Sequence, residues 1–424
     1  MRWVTRVAVA VLAVAGSAAC APDPQAQPHI SSAQPDISSA QPHISSASSK
    51  KSAARPVAWV GTWAVAMQSG DRAFQRQTLR QIVHTSIGGS AVRVRLSNQF
   101  GAEPLTVSSV YVALRARGGT VAADTARQLA FAGATSVTIP AGSSTVSDAA
   151  AFAVPALSDI AVSAYLPAAT GPATEHAVGL QDNYIGAGEQ SAAASMTGTR
   201  TTTSYFFLAG VDVRNPAATG AVVTFGASIT DGLRSTLGAD RRWPDLLAAR
   251  LGATGRTVGV LNTGISGNKL LADGTGESAL KRFDRDVLAQ PGVRWVIVSD
   301  DPLNDLGGAD PPTGARLVEG LKQLITRGHE AGLKLVCSTL TPFGESGYWT
   351  ERGEQGRAEV NAFVRGAGSG CDAVLDQGAA THDPAAPTRY LAGIDSGDHL
   401  HPTDRGMRAI AGAVDLDWFG PGTS

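Results

Sequence analysis

Val222-Val223-Thr224-Phe225, followed at once by Gly226-Ala227-Ser228-Ile229-Thr230-Asp231-Gly232, is the stretch that decides the fold. A short apolar, β-branched run bounded by turn residues has the pattern of a buried strand, and the small residues after it have that of a tight turn. The strand therefore ends by lifting the Ser228 hydroxyl at its carboxyl end. Downstream the alternation repeats. Val258 to Leu261, Val293 to Ser299, Leu333 to Leu340 and Ala373 to Leu375 read as strands. Trp243 to Leu251, Ala279 to Leu288, Gly314 to Ala331, Glu354 to Gly366 and Asp404 to Val414 read as helices, with Pro244 tolerated in a first turn. Apolar strands alternating with amphipathic helices predict a three-layer α/β domain, an open parallel sheet flanked by helices on both faces. Ligands of such sheets lie beyond the carboxyl ends of the strands, so chemistry-bearing residues belong in the loops that follow them.

Upstream the period is different. From Val57 to about Val213 short segments alternate apolar and polar residues; Ala91 to Leu96, for example, puts Val92, Val94 and Leu96 on one face. Val107 to Leu114, Ser136 to Ile139 and Ile160 to Leu166 read alike, with Gly, Pro, Asn and Asp between them. Many short strands and no helix of normal length predict an all-β sandwich or jelly roll. Before this region a unit of seven residues starts at Gln27 and recurs at Gln34 and Gln41. It is too polar to bury a core and predicts a disordered tether, with His29 and His43 as solvated spacer residues.

The N-terminus carries Arg2 and Arg6, an apolar run from Val7 to Ala15, and Gly16-Ser17-Ala18-Ala19 before Cys20. That is a signal-peptide pattern, with an apolar run too short to span a bilayer. Cys20 after small residues resembles the lipobox of bacterial lipoproteins, although Ser17 stands where that motif prefers Leu. Two outcomes stay open: lipid anchoring through Cys20, or cleavage and release. The expected organisation is a signal peptide at 1–19, a Ser/Gln/Pro-rich linker at 20–56, a β-sandwich at 57–215 and an α/β domain at 216–424.

The chain has 424 residues, 35 Lys plus Arg and 36 Asp plus Glu. The lack of a basic surplus argues against a nucleic-acid binder and gives no electrostatic reason to sit on an anionic membrane. Any membrane attachment would run through Cys20. The other cysteines, Cys337 and Cys371, form no Cys-x-x-Cys pair, so neither a zinc nor a redox motif is present. In an exported chain they either pair as a disulfide or stay as buried thiols.

Four loops carry the candidate chemistry. Ser228 follows the first strand of the α/β region. Asn262-Thr263-Gly264-Ile265-Ser266-Gly267-Asn268 follows the second and Pro302-Leu303-Asn304-Asp305 the third. Asp398-His399-Leu400-His401-Pro402 lies before the last helix. A serine hydroxyl needs a base to take its proton, and a carboxylate beside a histidine fixes the tautomer that can do so. Asp398 and His401, three residues apart, fit one compact loop; His399 is the competing histidine. Taken singly, each of the first three motifs is more simply a helix cap or a loop, and the fourth is sharper. Their joint order along the chain is what carries weight.

At this point the sequence resembles the SGNH, or GDSL-type, hydrolase family, whose signature residues are Ser, Gly, Asn and His. Phe225 to Ile229 resembles its first block, Asn262 to Gly267 its second, Asn304-Asp305 its third and Asp398 to Pro402 its last. The resemblance covers roughly residues 220 to 415, and residues 57 to 213 resemble the β-sandwich that precedes this domain in some secreted bacterial members. It implies that Ser228 attacks an ester carbonyl, that His401 moves the proton and Asp398 orients it. The oxyanion hole would be the backbone N–H groups of Ser228 and Gly267 with the Asn304 amide. Neither metal nor cofactor is implied. Ala227 stands where the family usually has Asp, which puts the rigidity of the turn in question. Pro302 stands where a Gly usually precedes the Asn. Asp300 and Asp301 add charge beside the site, either to face water or to repel anions and bind sugar hydroxyls.

The expectation is a secreted carboxylic ester hydrolase acting on small or polysaccharide esters. A lipase or acyltransferase would use the same site. A glycan-binding surface protein with a degenerate hydrolase domain is the competing class.

Overall fold

The computed structural model of the chain describes residues 59–422. The expected signal peptide, the repeat-bearing linker and Cys20 lie outside the described residues. Strands β1 (Val60–Ala64), β2 (Gln77–Thr85), β3 (Gly89–Asn98), β4 (Leu105–Arg117), β5 (Ala150–Val154), β6 (Ser158–Leu166), β7 (Thr174–His176), β8 (Asn183–Ala187) and β9 (Leu208–Val213) build the first region. One antiparallel sheet runs β1-β9-β3-β5, and a second contains β8-β2-β6-β4 in that order. Val92, Val94 and Leu96 are buried while Arg93 and Arg95 between them are half-buried, as the alternation predicts. The apolar faces of both sheets belong to one buried cluster, so the region is a β-sandwich. Its one described helical turn is Ala123–Thr125.

The second region is a parallel sheet with order β11-β10-β12-β13-β14, formed by β10 (Gly220–Phe225), β11 (Val258–Asn262), β12 (Val293–Val298), β13 (Lys334–Ser338) and β14 (Ala373–Leu375). Val222 pairs with Val260 on one side and Trp295 on the other. Every residue of β10 is buried, which is why its sequence shows no period-two alternation. Helices α1 (Ser228–Asp231), α2 (Trp243–Ala253), α3 (Ala279–Phe283), α4 (Asp301–Leu306), α5 (Gly314–Glu330), α6 (Glu351–Arg365), α7 (Gln377–Thr381) and α8 (Asp404–Ala413) flank it. In two places the structure departs from the sequence pattern. The helix expected over 279–288 is α-helical only to Phe283 and continues as a π turn, Asp284–Leu288. The short helices α1, α4 and α7 follow strands directly and are too brief to give a periodic signal.

The two regions share a core. Val60 and Trp63 from the sandwich belong to the same apolar cluster as Val222 and Leu261 from the parallel sheet. The edge strand β11 is covered there, where the Val260 N–H donates to Ser86 Oγ at 2.9 Å, and the Gly61 N–H donates to the carbonyl of Pro291, just before β12, at 3.0 Å. Capping an edge in this way removes an open template for strand addition. Cys337, at the end of β13, is disulfide-bonded to Cys371 just before β14, which tethers the sheet's other edge.

Candidate active site

The four sequence motifs converge at the carboxyl ends of β10, β11 and β12 and in the loop before α8. Ser228 opens α1 directly after β10. Its turn needs glycine at 226, because a Cβ there would lie 2.3 Å from Thr230 Oγ1 and 2.4 Å from Asp300 Oδ1. Asp300, arriving from the end of β12, holds the turn. Its carboxylate accepts the N–H groups of Ala227 (3.0 Å), Ile229 (2.8 Å) and Thr230 (3.3 Å), and the Thr230 hydroxyl at 2.5 Å. A carboxylate at a helix's first turn answers its orphan N–H donors. The rigidity that Ala227 put in question is therefore supplied from another loop.

This corrects the expectation for Asp300 and Asp301. Neither faces water or a substrate; their residue exposures are 1% and 0%. Asp301 accepts from Arg282 at 3.2 Å, and Arg282 also donates to the carbonyls of Gly226 and Thr263. Burial pushes the Asp301 carboxyl up to about 7, against the pull of Arg282. Pro302 sits in the first turn of α4, where its missing N–H costs nothing. Asn304 follows on the same helix, nearly buried.

His401 Nε2 lies 2.9 Å from Ser228 Oγ, and His401 Nδ1 lies 2.9 Å from Asp398 Oδ2. Asp398 also accepts the backbone N–H groups of Leu400 (3.0 Å) and His401 (2.9 Å). Burial works against ionisation of Asp398, but these bonds with His401 and Leu400 prevail and hold its carboxyl well below the usual carboxylate range. Because Asp398 accepts at Nδ1, that nitrogen carries the proton and Nε2 is left as an acceptor facing the hydroxyl. The competing His399 turns elsewhere: its Nδ1 pairs with Asp395 at 3.1 Å. The loop is anchored by the Ser396 N–H to the His401 carbonyl (2.8 Å) and the Thr403 N–H to the Ile394 carbonyl (2.8 Å). A serine, a neutral imidazole and a carboxylate in series can move a proton off the hydroxyl as it attacks an electrophile.

This geometry coincides with the family comparison. Residues 224–409 match the model of the GDSL-like Lipase/Acylhydrolase family. Residues 224–409 form a GDSL-type hydrolase domain. That domain is one of carboxylic ester hydrolases. Among solved structures it is similar to a lipase/acylhydrolase from Enterococcus faecalis, at 23% identity, covering 48% of this chain and 99% of that one with a TM-score of 0.38. It is also similar to an acetylxylan esterase from Geobacillus stearothermophilus, at 21% identity, 48% and 96% coverage and a TM-score of 0.38. A G-D-S-L lipolytic protein from Desulfitobacterium hafniense matches at 19% identity, 46% and 97% coverage and a TM-score of 0.36. No curated protein matches significantly.

Gly267 of the GDSL domain lies in the loop after β11 with φ +82°. Two supports of this loop escaped the sequence reading. Asp305, beside Asn304, accepts the N–H groups of Leu270 (2.6 Å) and Leu271 (3.2 Å), and burial pushes its carboxyl up to about 6. Asp231, at the end of α1, accepts both the N–H and the hydroxyl of Ser266. Both contacts join positions more than thirty residues apart, beyond any local pattern. Among the described residues one group could also hold a cation: His84, Asp159 and Asp240. Its Asp159 is already answered by Arg115 at 2.7 Å and by His84 at 2.8 Å, so the group reads as an ion-pair network.

Proposed function

We propose that the chain is an exported serine esterase that removes short acyl groups from carbohydrate. Ser228 is its nucleophile, His401 its general base and then acid, and Asp398 the group that orients His401. The unbroken series from Ser228 Oγ through His401 to Asp398, with two 2.9 Å contacts, carries this proposal. As Ser228 Oγ bonds to the ester carbon, its proton passes to His401 Nε2 and the carbonyl oxygen takes the negative charge. The backbone N–H groups of Ser228 and Gly267 and the Asn304 amide receive that charge. Collapse breaks the bond to the alcohol, which leaves with the proton from His401. Water then attacks the acyl-Ser228 carbonyl, again losing its proton to His401; collapse breaks the bond to Ser228 Oγ, which takes that proton back from His401, and the carboxylic acid departs.

Three features support the carbohydrate substrate. The N-terminal pattern fits export to surroundings where polysaccharide esters occur. The rim carries the exposed Arg234, whose Nε lies 3.5 Å from Asp398. Tyr348 and Trp349, on the loop after β13 at the same end of the sheet, are exposed aromatics of the kind that stack on sugar rings. The test is hydrolysis of p-nitrophenyl acetate and p-nitrophenyl octanoate, with fluorophosphonate labelling, in the wild type and Ser228→Ala. Acetate turnover lost in the variant, by at least about 10⁴-fold in kcat, supports the assignment. Preference for octanoate would favour a lipase, and a folded wild type that neither turns over nor labels would overturn it.

A further inference from the structure

We propose that the β-sandwich is part of the catalytic machinery, because its His176 is a positioning residue for the oxyanion loop of the hydrolase domain. The inference rests on the assignment of Ser228 and Gly267 above. His176 closes β7 and is completely buried. Its Nδ1 lies 3.0 Å from the Ala66 carbonyl oxygen, within the sandwich, and its Nε2 lies 3.1 Å from Asp231 Oδ1, in the hydrolase domain. A carbonyl and a carboxylate only accept, so both ring nitrogens donate and the ring is an imidazolium paired with Asp231. Three other groups face this pair. Arg242 carries like charge but is itself neutralised by Asp245 at 2.8 Å, and the Tyr205 ring lies 6.4 Å from the imidazole. The Ser266 hydroxyl completes the set.

Asp231 is where the two halves of the site meet. It is the last residue of α1, the helix that Ser228 opens. While Oδ1 holds His176, Oδ2 accepts from the Ser266 N–H at 3.0 Å and from Ser266 Oγ at 2.6 Å. Ser266 immediately precedes Gly267. One carboxylate thus fixes the nucleophile turn and the backbone donor relative to each other, and a residue of the sandwich fixes the carboxylate. The approach is close: a Cβ at Gly264 would lie 2.4 Å from the Asp231 nitrogen. Without His176, the buried Asp231 would have to find another partner for Oδ1, and Ser266 is the flexible neighbour within reach. Gly267 would move with it. A donor displaced by about an ångström costs up to about 10²-fold in rate, while substrate binding elsewhere in the cleft is untouched.

Two variants separate positioning from bulk structure. His176→Phe fills the space but donates nothing. Asp231→Asn keeps each hydrogen bond: a neutral His176 accepts from the Asn amide, and the amide oxygen accepts from Ser266. With p-nitrophenyl acetate, His176→Phe should lose about 10- to 100-fold in kcat, with KM changed less than about threefold. Asp231→Asn, which keeps those hydrogen bonds, should lose clearly less of kcat than His176→Phe. A folded His176→Phe with wild-type kcat overturns the proposal, as does Asp231→Asn falling as far as His176→Phe. If His176→Phe does not fold, Ser266→Ala decides, since it removes one anchor and leaves the ion pair intact. A loss of about 3- to 10-fold in kcat supports the proposal, and an unchanged kcat overturns it. Ser228→Ala in the same assay isolates the underlying assignment. If that variant stays active, the nucleophile is another residue, and the role given to His176 falls with it whatever the other variants do.

Discussion

His401 beside Asp398 and His176 beside Asp231 are the same two residue types in contact, at 2.9 and 3.1 Å, and they are suited to opposite tasks. The difference lies in what the second ring nitrogen meets. At His401 it meets a hydroxyl that has a proton to give. At His176 it meets a carbonyl oxygen, so that ring is locked as a double donor. His84, His329 and His399 also touch aspartates among the described residues. A histidine–aspartate contact is therefore not a catalytic signature by itself. A third group and its distance convert the contact into a base, and without that group the same contact is a strut.

The largest effect after loss of Ser228 is expected at Asp398. Asp398→Asn can offer its amide to Nδ1, which makes Nδ1 the acceptor and leaves a proton on Nε2, facing Ser228. The tautomer is then wrong for a base, and kcat should fall about 10³- to 10⁴-fold with the fold intact. The same carboxylate fixes the pH behaviour. Its depressed ionisation keeps Asp398 charged far below pH 4, and its contribution to stability is lost only as pH falls through that low range. Asp398 should therefore contribute no inflection to the wild-type kcat/KM between pH 4 and 8. An inflection in that window that disappears in Asp398→Asn would mean that Asp398 titrates there, and that the two pairs differ less than their geometry implies.

Asp300 should come next. It replaces a local support for the nucleophile turn with a distant one, accepting three N–H groups and a hydroxyl while buried. Asp300→Ala leaves those donors unanswered. Unfolding free energy should drop by about 3 kcal/mol and kcat by about 10²-fold, measured by denaturant unfolding and ester hydrolysis. Asp300→Asn keeps the acceptor oxygen and should lose less of both. Wild-type turnover in Asp300→Ala would show that the turn holds Ser228 by its backbone alone.

Local signals carried most of the architecture. The apolar run at 222–225 and the alternation at 91–96 each report a strand through its own residues, and the glycine at 226 reports a crowded turn. The SGNH motif set points to Ser228 and His401 because those residues recur in a fixed chain order. The supports were illegible for a physical reason. Asp300 reads from its neighbours as a water-facing or substrate-facing charge, and only the fold shows that it caps a turn some seventy positions away. His176 sits in a stretch of short strands with nothing near it to suggest a partner, and its aspartate is 55 positions distant. Groups that act on substrate belong to motifs; groups that hold them in place are found through tertiary contacts.

The smallest effect is expected at the histidine nearest to His401 in sequence. His399 has φ +57° and a side chain 43% exposed, paired through Nδ1 with Asp395. Replacement by alanine would mix loss of the ring with strain in the left-handed backbone. Asparagine tolerates that conformation and can still hydrogen-bond Asp395, so His399→Asn removes only the imidazole. An exposed pair of this kind stabilises by about 0–1 kcal/mol, so thermal unfolding should hardly move and kcat should stay within about twofold. A drop in kcat approaching that of Asp398→Asn would reverse the roles of the two histidines. His401 would then be the strut, and the 2.9 Å contact with Ser228 would not be the one through which the proton leaves.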